Sequence, residues 1–106
     1  GSVVVPATVR DGDVTVAVST GGQSPALSKV LRRRIAGEIE GAGELAALTA
    51  EIRESLKAAG VDPELRRRAV ADVVESSAVW KDLGRDDSNP RQTANAVVEA
   101  ALGDRT

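Results

Sequence analysis

Two hydrophobic periods divide the chain. Up to about Ser19, apolar and polar residues alternate: in VTVAV, Val14, Val16 and Val18 fall on one side and Thr15, Ala17 and Ser19 on the other, the pattern of a half-buried strand. With VVVPATV before it and Arg10-Asp11-Gly12-Asp13 between, this reads as a β-hairpin turning at an Asp-Gly pair. Pro6 lacks an amide donor and belongs at a strand edge or in an irregular entry. A two-stranded ribbon is marginal alone, so it should pair or pack with something else.

From Ser24 the spacing becomes helical. Ser24 is an N-cap, Pro25 suits the first helical position, and Leu27, Val30, Leu31, Ile35 and Ile39 recur on one face until about Gly41. A second helix, about Glu44 to Ala59, is carried by Leu45, Leu48, Ile52 and Leu56 and stopped by Gly60. Asp62-Pro63 opens a third through Leu65, Ala69, Val70, Val73 and Val74. The short piece SSAVWKDLG presents Val79, Trp80 and Leu83, and Asn89-Pro90 opens a last helix with Ala94, Val97, Val98, Ala101 and Leu102. The expected class is α+β and mostly helical: an N-terminal hairpin followed by four to five helices.

Composition narrows what such a fold can do. At 106 residues the chain suits one small domain, burying only roughly 60 to 70% of its unfolded surface. Its core must be Val, Leu, Ile and Ala, since Trp80 is the only aromatic residue and Phe, Tyr, Met and Cys are absent. A core so poor in large side chains suggests that another domain or a second copy completes some apolar surface. Without Cys or His there is no thiolate site and no imidazole base, which leaves acid–base chemistry to Asp, Glu or Lys. A net charge of −2 lacks the excess expected of a nucleic-acid binder. No apolar run reaches the roughly 20 residues of a membrane span, and the N-terminus does not resemble a signal peptide. A cytoplasmic protein is expected. Gly1-Ser2 has the look of a cloning remnant, and the abrupt VVV opening suggests a piece of a longer protein.

The candidate chemistry sits where the two periods meet, in the loop Ser19-Thr20-Gly21-Gly22-Gln23-Ser24. A strand, a glycine-containing loop and a helix N-terminus make a general anion site, because first-turn amides are unpaired and carry partial positive charge. The patterns GxxxxGKS/T and GxGxxG are both absent. Spacing alone favours a plain structural turn over a ligand-lining loop and leaves both open. Arg32-Arg33-Arg34 and Arg66-Arg67-Arg68 fan around their helices; solvated faces paired with Glu38, Glu40 and Glu64 are favoured over a groove for an acidic ligand. Helices two and three, joined by Gly60-Val61-Asp62, also imitate a helix-turn-helix, against which the acidic balance counts. Asp86-Asp87 reads as a solvated turn rather than a metal site.

The stretch PATVRDGDVTVAVSTGGQSPALSKVLRRRIAGEIE resembles the siroheme synthases of the precorrin-2 dehydrogenase and sirohydrochlorin ferrochelatase type. The resemblance is carried by Pro6, Val14, Val16, Ala17, Val18, Ser19, Thr20, Gly21, Gly22, Ser24, Pro25, Leu27, Leu31 and Arg32. Beyond Glu44 only the helical layout and the VW-containing element match. The resemblance implies an enzyme that oxidises precorrin-2 to sirohydrochlorin with NAD and, in many members, inserts ferrous iron to give siroheme.

It also implies a Rossmann domain, a nucleotide loop and a working aspartate upstream of this segment. The chain then corresponds to a strand-exchange dimerisation segment, 1–41, and a C-terminal helical domain, 42–106. Within it, Ser19, Thr20, Gly21, Gly22 and Ser24 would line the tetrapyrrole pocket, with no catalytic, cofactor or metal residue. The first helix's arginines would add positive potential toward a polycarboxylate, none of them singled out. Gln23 stands where relatives often carry Thr or Ala and receives no role. The expected partners are a second copy of the chain and the tetrapyrrole, with neither nucleic acid nor membrane, and the segment is expected to be inactive alone. The rival classes are a non-catalytic helical interaction module and a helix-turn-helix DNA binder.

Overall fold

The computed structural model describes residues 7–103; the VVV strand and Pro6 lie outside the described residues. Strands β1 (Ala7–Asp11) and β2 (Val14–Val18) pair antiparallel, with Ala7 opposite Val18, Val9 opposite Val16 and Asp11 opposite Val14. The turn is therefore centred on Gly12-Asp13, one residue later than a turn centred on the Asp-Gly pair. Gly12 has φ +56° while Asp13 does not have positive φ, the arrangement of a type II′ turn, whose twist suits a two-residue hairpin. Alternation holds as expected. Val9 and Val18 are buried while Thr8, Arg10, Thr15 and Ala17 are exposed.

Helix α1 (Pro25–Glu38) packs against both strands. Ser24 Oγ accepts the Leu27 amide at 3.2 Å, Pro25 occupies the first turn, and Ile39 closes the helix two residues before Gly41. Leu31, Ile35 and Ile39 are half-buried, but Leu27 and Val30 are 48% and 40% exposed, so the expected apolar face is covered from Leu31 onward and open at its N-terminal end.

A contact invisible to periodicity closes this unit. Asp11 Oδ2 accepts the Gly41 amide at 3.1 Å and Asp11 Oδ1 the Gly43 amide at 2.8 Å. The backbones touch there: a Cβ on Gly43 would stand 2.5 Å from the Asp11 carbonyl oxygen, and one on Gly12 2.9 Å from Gly43 Cα. Only glycine at both positions permits the approach.

The chain forms two compact units that divide after Gly43. The second is helical: the remainder of α2 (Ala42–Ala58), then α3 (Pro63–Glu75), α4 (Ser77–Asp82) and α5 (Pro90–Gly103). Two starts follow the expected signals: Asp62 Oδ1 accepts the Leu65 amide and Asn89 Oδ1 that of Gln92. Ser76 Oγ, a cap not anticipated from the sequence, accepts the Val79 amide. At the end of α2 the Val61 amide reaches the Leu56 carbonyl and the Gly60 amide that of Lys57, the paired bonds of a Schellman motif.

Leu45, Leu48, Ile52, Leu56, Ala69, Val73, Val79, Leu83, Ala94, Val98 and Ala101 form one core, with α3 packed mainly on α5. Ala69 and Ala94 are fully buried, and small residues there allow close approach of the helices carrying them. One residue of α3 expected on the apolar face sits elsewhere: Val74 is 42% exposed, since a helix cannot turn both Val73 and Val74 to the same core. Trp80 is half-buried and packs against the core from its rim. Trp80 Nε1 donates to the Val74 carbonyl at 2.6 Å, which keeps the indole at the rim where its N–H has a partner.

Candidate functional site

The loop between β2 and α1 is built by its own side chains. Thr20 Oγ1 accepts the Ser24 amide at 3.1 Å and donates back to the Ser24 carbonyl at 3.3 Å. Ser19 Oγ accepts the Gly21 amide at 3.2 Å, and the Gln23 amide closes a turn onto the Thr20 carbonyl. Gly21 and Gly22 both lie in the left-handed region, φ +66° and +79°, a consecutive pair that residues with a Cβ adopt rarely.

These bonds sort the expected site residues by what they have left to offer. Thr20 spends both its donor and an acceptor lone pair inside the loop, so its hydroxyl holds shape. Among the described residues Ser19 and Ser24 use their hydroxyls only as acceptors, which leaves each with an O–H donor. The loop's hydrogen bonds engage the amides of Gly21, Gln23, Ser24, Leu27 and Ser28, which leaves those of Gly22 and Ala26 without a partner among the described residues. Ser19, Gly21, Gly22 and Gln23 are exposed, and Thr20 and Ser24 half-buried. Two hydroxyl donors and two amide donors at the start of a helix make an oxyanion-accepting edge.

The same unit carries a second basic feature that the sequence does not reveal. Arg32 and Arg33 of α1 join Arg10 of β1, with Thr8, Val9 and Ala36, around a groove of about 310 Å³. Arg10 is 22 positions from Arg32, and only the docking of α1 on β1 brings them together; its exposed alternate position in the strand was the sole local hint. At a rise of about 1.5 Å per residue, Arg32 lies roughly 12 Å along α1 from Ser24.

In the helical unit, Arg66 Nη1 donates to the Val61 carbonyl at 3.2 Å rather than to Glu64. Ion pairs join Arg91 to Glu51 and Arg85 to Asp87. Among the described residues no three His, Cys, Asp or Glu side chains cluster as a metal cage, and no helix is long and apolar enough to cross a membrane.

The family model described as "Sirohaem biosynthesis protein central" matches residues 11–38, which run from the hairpin turn through the loop to the end of α1. The precorrin-2 dehydrogenase of Methanosarcina barkeri is 31% identical over 103 residues, covering 96% of this chain and 46% of that protein. The siroheme synthases of Thioalkalivibrio sulfidiphilus and Methylococcus capsulatus are each 38% identical over 104 residues, covering 96% of this chain and 21% and 22% of theirs. The likeness thus extends through the helical unit, beyond the residues that carry it in the sequence. The chain spans about half or less of the length of these relatives, and no solved structure matches it. The matched central segment, together with likeness to these relatives over 96% of the chain, leads to one conclusion: the chain belongs to the siroheme synthase family of siroheme biosynthesis.

Proposed function

We propose that this chain supplies a dimerisation segment and one wall of the tetrapyrrole pocket of a siroheme biosynthesis enzyme. That enzyme would oxidise precorrin-2 to sirohydrochlorin with NAD and take ferrous iron as substrate for chelation. The observation that carries the reading is the loop: the Ser19 and Ser24 hydroxyls and the Gly22 amide remain as donors on a rigid turn inside the matched segment. A peripheral carboxylate of the tetrapyrrole fits these donors, and the groove of Arg10, Arg32 and Arg33 suits another carboxylate of the same polyanion. Thr20 enters as a positioning residue and Gly21 as part of the turn.

The described residues do not fit a dinucleotide. The strand before the loop belongs to a two-stranded antiparallel hairpin rather than a βαβ unit, and the adjacent Gly21-Gly22 pair lacks the GxGxxG spacing. No hydride step is routed through them, and these 106 residues alone are expected not to reduce NAD. For dimerisation the support is the exposed Leu27 and Val30 on α1 beside a ribbon that has two strands among the described residues. The relatives do not favour the interaction-module or DNA-reader readings.

Titration with sirohydrochlorin, followed by absorbance and by amide chemical shifts, tests the pocket. Shifts at residues 19–24, weakened in Ser19→Ala/Ser24→Ala, are expected. No shift there would leave a scaffolding role alone. Sedimentation should find a dimer, and a strictly monomeric folded chain at high concentration would count against the dimerisation half.

A further inference from the structure

The helical unit holds a basic pocket that the siroheme reading does not use. Arg53 of α2 and Arg66 and Arg67 of α3 surround an open depression of about 410 Å³ whose remaining lining is Val70 and Ala71. That volume lies in the range of about 300 to 1,000 Å³ usual for small-molecule sites. Arg66 is half-buried, and its bond to the Val61 carbonyl fixes the guanidinium while leaving other N–H donors. Arg53 and Arg67 are exposed, and neither meets a carboxylate among the described residues.

Three guanidinium groups around one depression, with no carboxylate paired to them among the described residues, repel one another, and they do so in a unit whose acidic residues outnumber its basic ones. A compact oxyanion relieves the repulsion. Guanidinium forks match phosphate oxygens in pairs, and a phosphate monoester brings close to two charges and three oxygens, where a lone carboxylate brings one charge and two. The pocket also has an apolar side. Val70 and Ala71 lie on α3 one turn before Val74, and Val74 is 42% exposed, so an apolar strip leads away from the arginines along the helix.

We propose that this pocket binds a phosphate monoester carrying an apolar body, with the phosphate on Arg53, Arg66 and Arg67 and the body over Val70 and Ala71. The site belongs to the helical unit and does not rest on the tetrapyrrole reading of the loop.

The test is an NMR titration of the full chain with phenyl phosphate, inorganic phosphate and benzoate. Phenyl phosphate should shift the amides of Arg53, Arg66, Arg67, Val70 and Ala71, with inorganic phosphate weaker and benzoate weaker still. Arg53→Gln/Arg67→Gln alters two exposed side chains and should keep the far-ultraviolet dichroism. It should weaken phenyl phosphate by about tenfold or more, the loss of at least one charge-assisted contact. Ala71→Glu, also at an exposed position, sets a competing carboxylate into the pocket and should abolish binding even if the double variant were misfolded. The proposal is overturned by no shift at these residues with phenyl phosphate, by unchanged affinity in the variants, or by benzoate binding as tightly. Equal affinity for inorganic phosphate overturns the apolar half.

Discussion

Asp11 is the residue whose removal should most selectively open the hairpin unit. Its carboxylate accepts the Gly41 and Gly43 amides at 3.1 and 2.8 Å, at half-buried positions, and Asp11→Ala leaves both donors without a protein partner. Each charge-assisted bond contributes about 1 to 1.5 kcal/mol when partly solvated, so the pair should cost about 2 to 3 kcal/mol. Expressed as local opening, that is about a 30- to 150-fold loss of amide protection. Hydrogen exchange over residues 7–43 is the assay, because Trp80, the only tryptophan, reports on the helical unit alone. The β1, β2, Gly41 and Gly43 amides should lose protection, while the urea midpoint followed by Trp80 fluorescence stays near that of the parent chain. Asp11→Asn retains one acceptor and should lose about half as much in free energy. The reasoning fails if protection in the hairpin changes less than about twofold, or if α3 and α5 lose as much as the strands.

Other substitutions probe separate links. Gly43→Ala gains about 1 kcal/mol of helix propensity but drives a Cβ to 2.5 Å from the Asp11 carbonyl oxygen, so a net loss of protection in the hairpin is expected by the same exchange measurement. Val73→Ala empties space in a fully buried site and should cost about 2 kcal/mol, read as a lower urea midpoint by Trp80 fluorescence. Thr20→Val removes both bonds to Ser24 and should weaken sirohydrochlorin binding as much as Ser19→Ala/Ser24→Ala, with exchange showing the loop itself loosened. Arg10→Gln should weaken the same ligand more at low salt than at high salt, measured by absorbance titration.

Much of the fold follows from local rules that read directly from the chain. Helix starts at Ser24-Pro25, Asp62-Pro63 and Asn89-Pro90 were legible because a cap and its amide are three residues apart. The hairpin was legible because Val14, Val16 and Val18 alternate with the smaller Thr15 and Ala17 and a Gly-containing turn precedes them. Val74 was misplaced for the complementary reason: periodicity gives the width of an apolar stripe, and the packing of α3 against α5 decides which edge of it stays wet. The loop's residue types were readable too, but not the division of labour within it. Thr20 turned out to hold the turn that presents Ser19 and Ser24, which depends on where two lone pairs and two hydrogens end up.

By itself the sequence determined the order of elements, their caps and the composition of the helical core, since these depend on side chains within one turn of each other. Tertiary structure alone decided that Asp11 meets Gly41 and Gly43, that Arg10 joins Arg32 and Arg33, and that Arg53 joins Arg66 and Arg67. Each of those groupings joins residues 13 or more positions apart, and no hydrophobic period encodes which surface of a helix will face a charged neighbour. Burial of apolar area drives the elements together, and the charges come to lie wherever that packing leaves them.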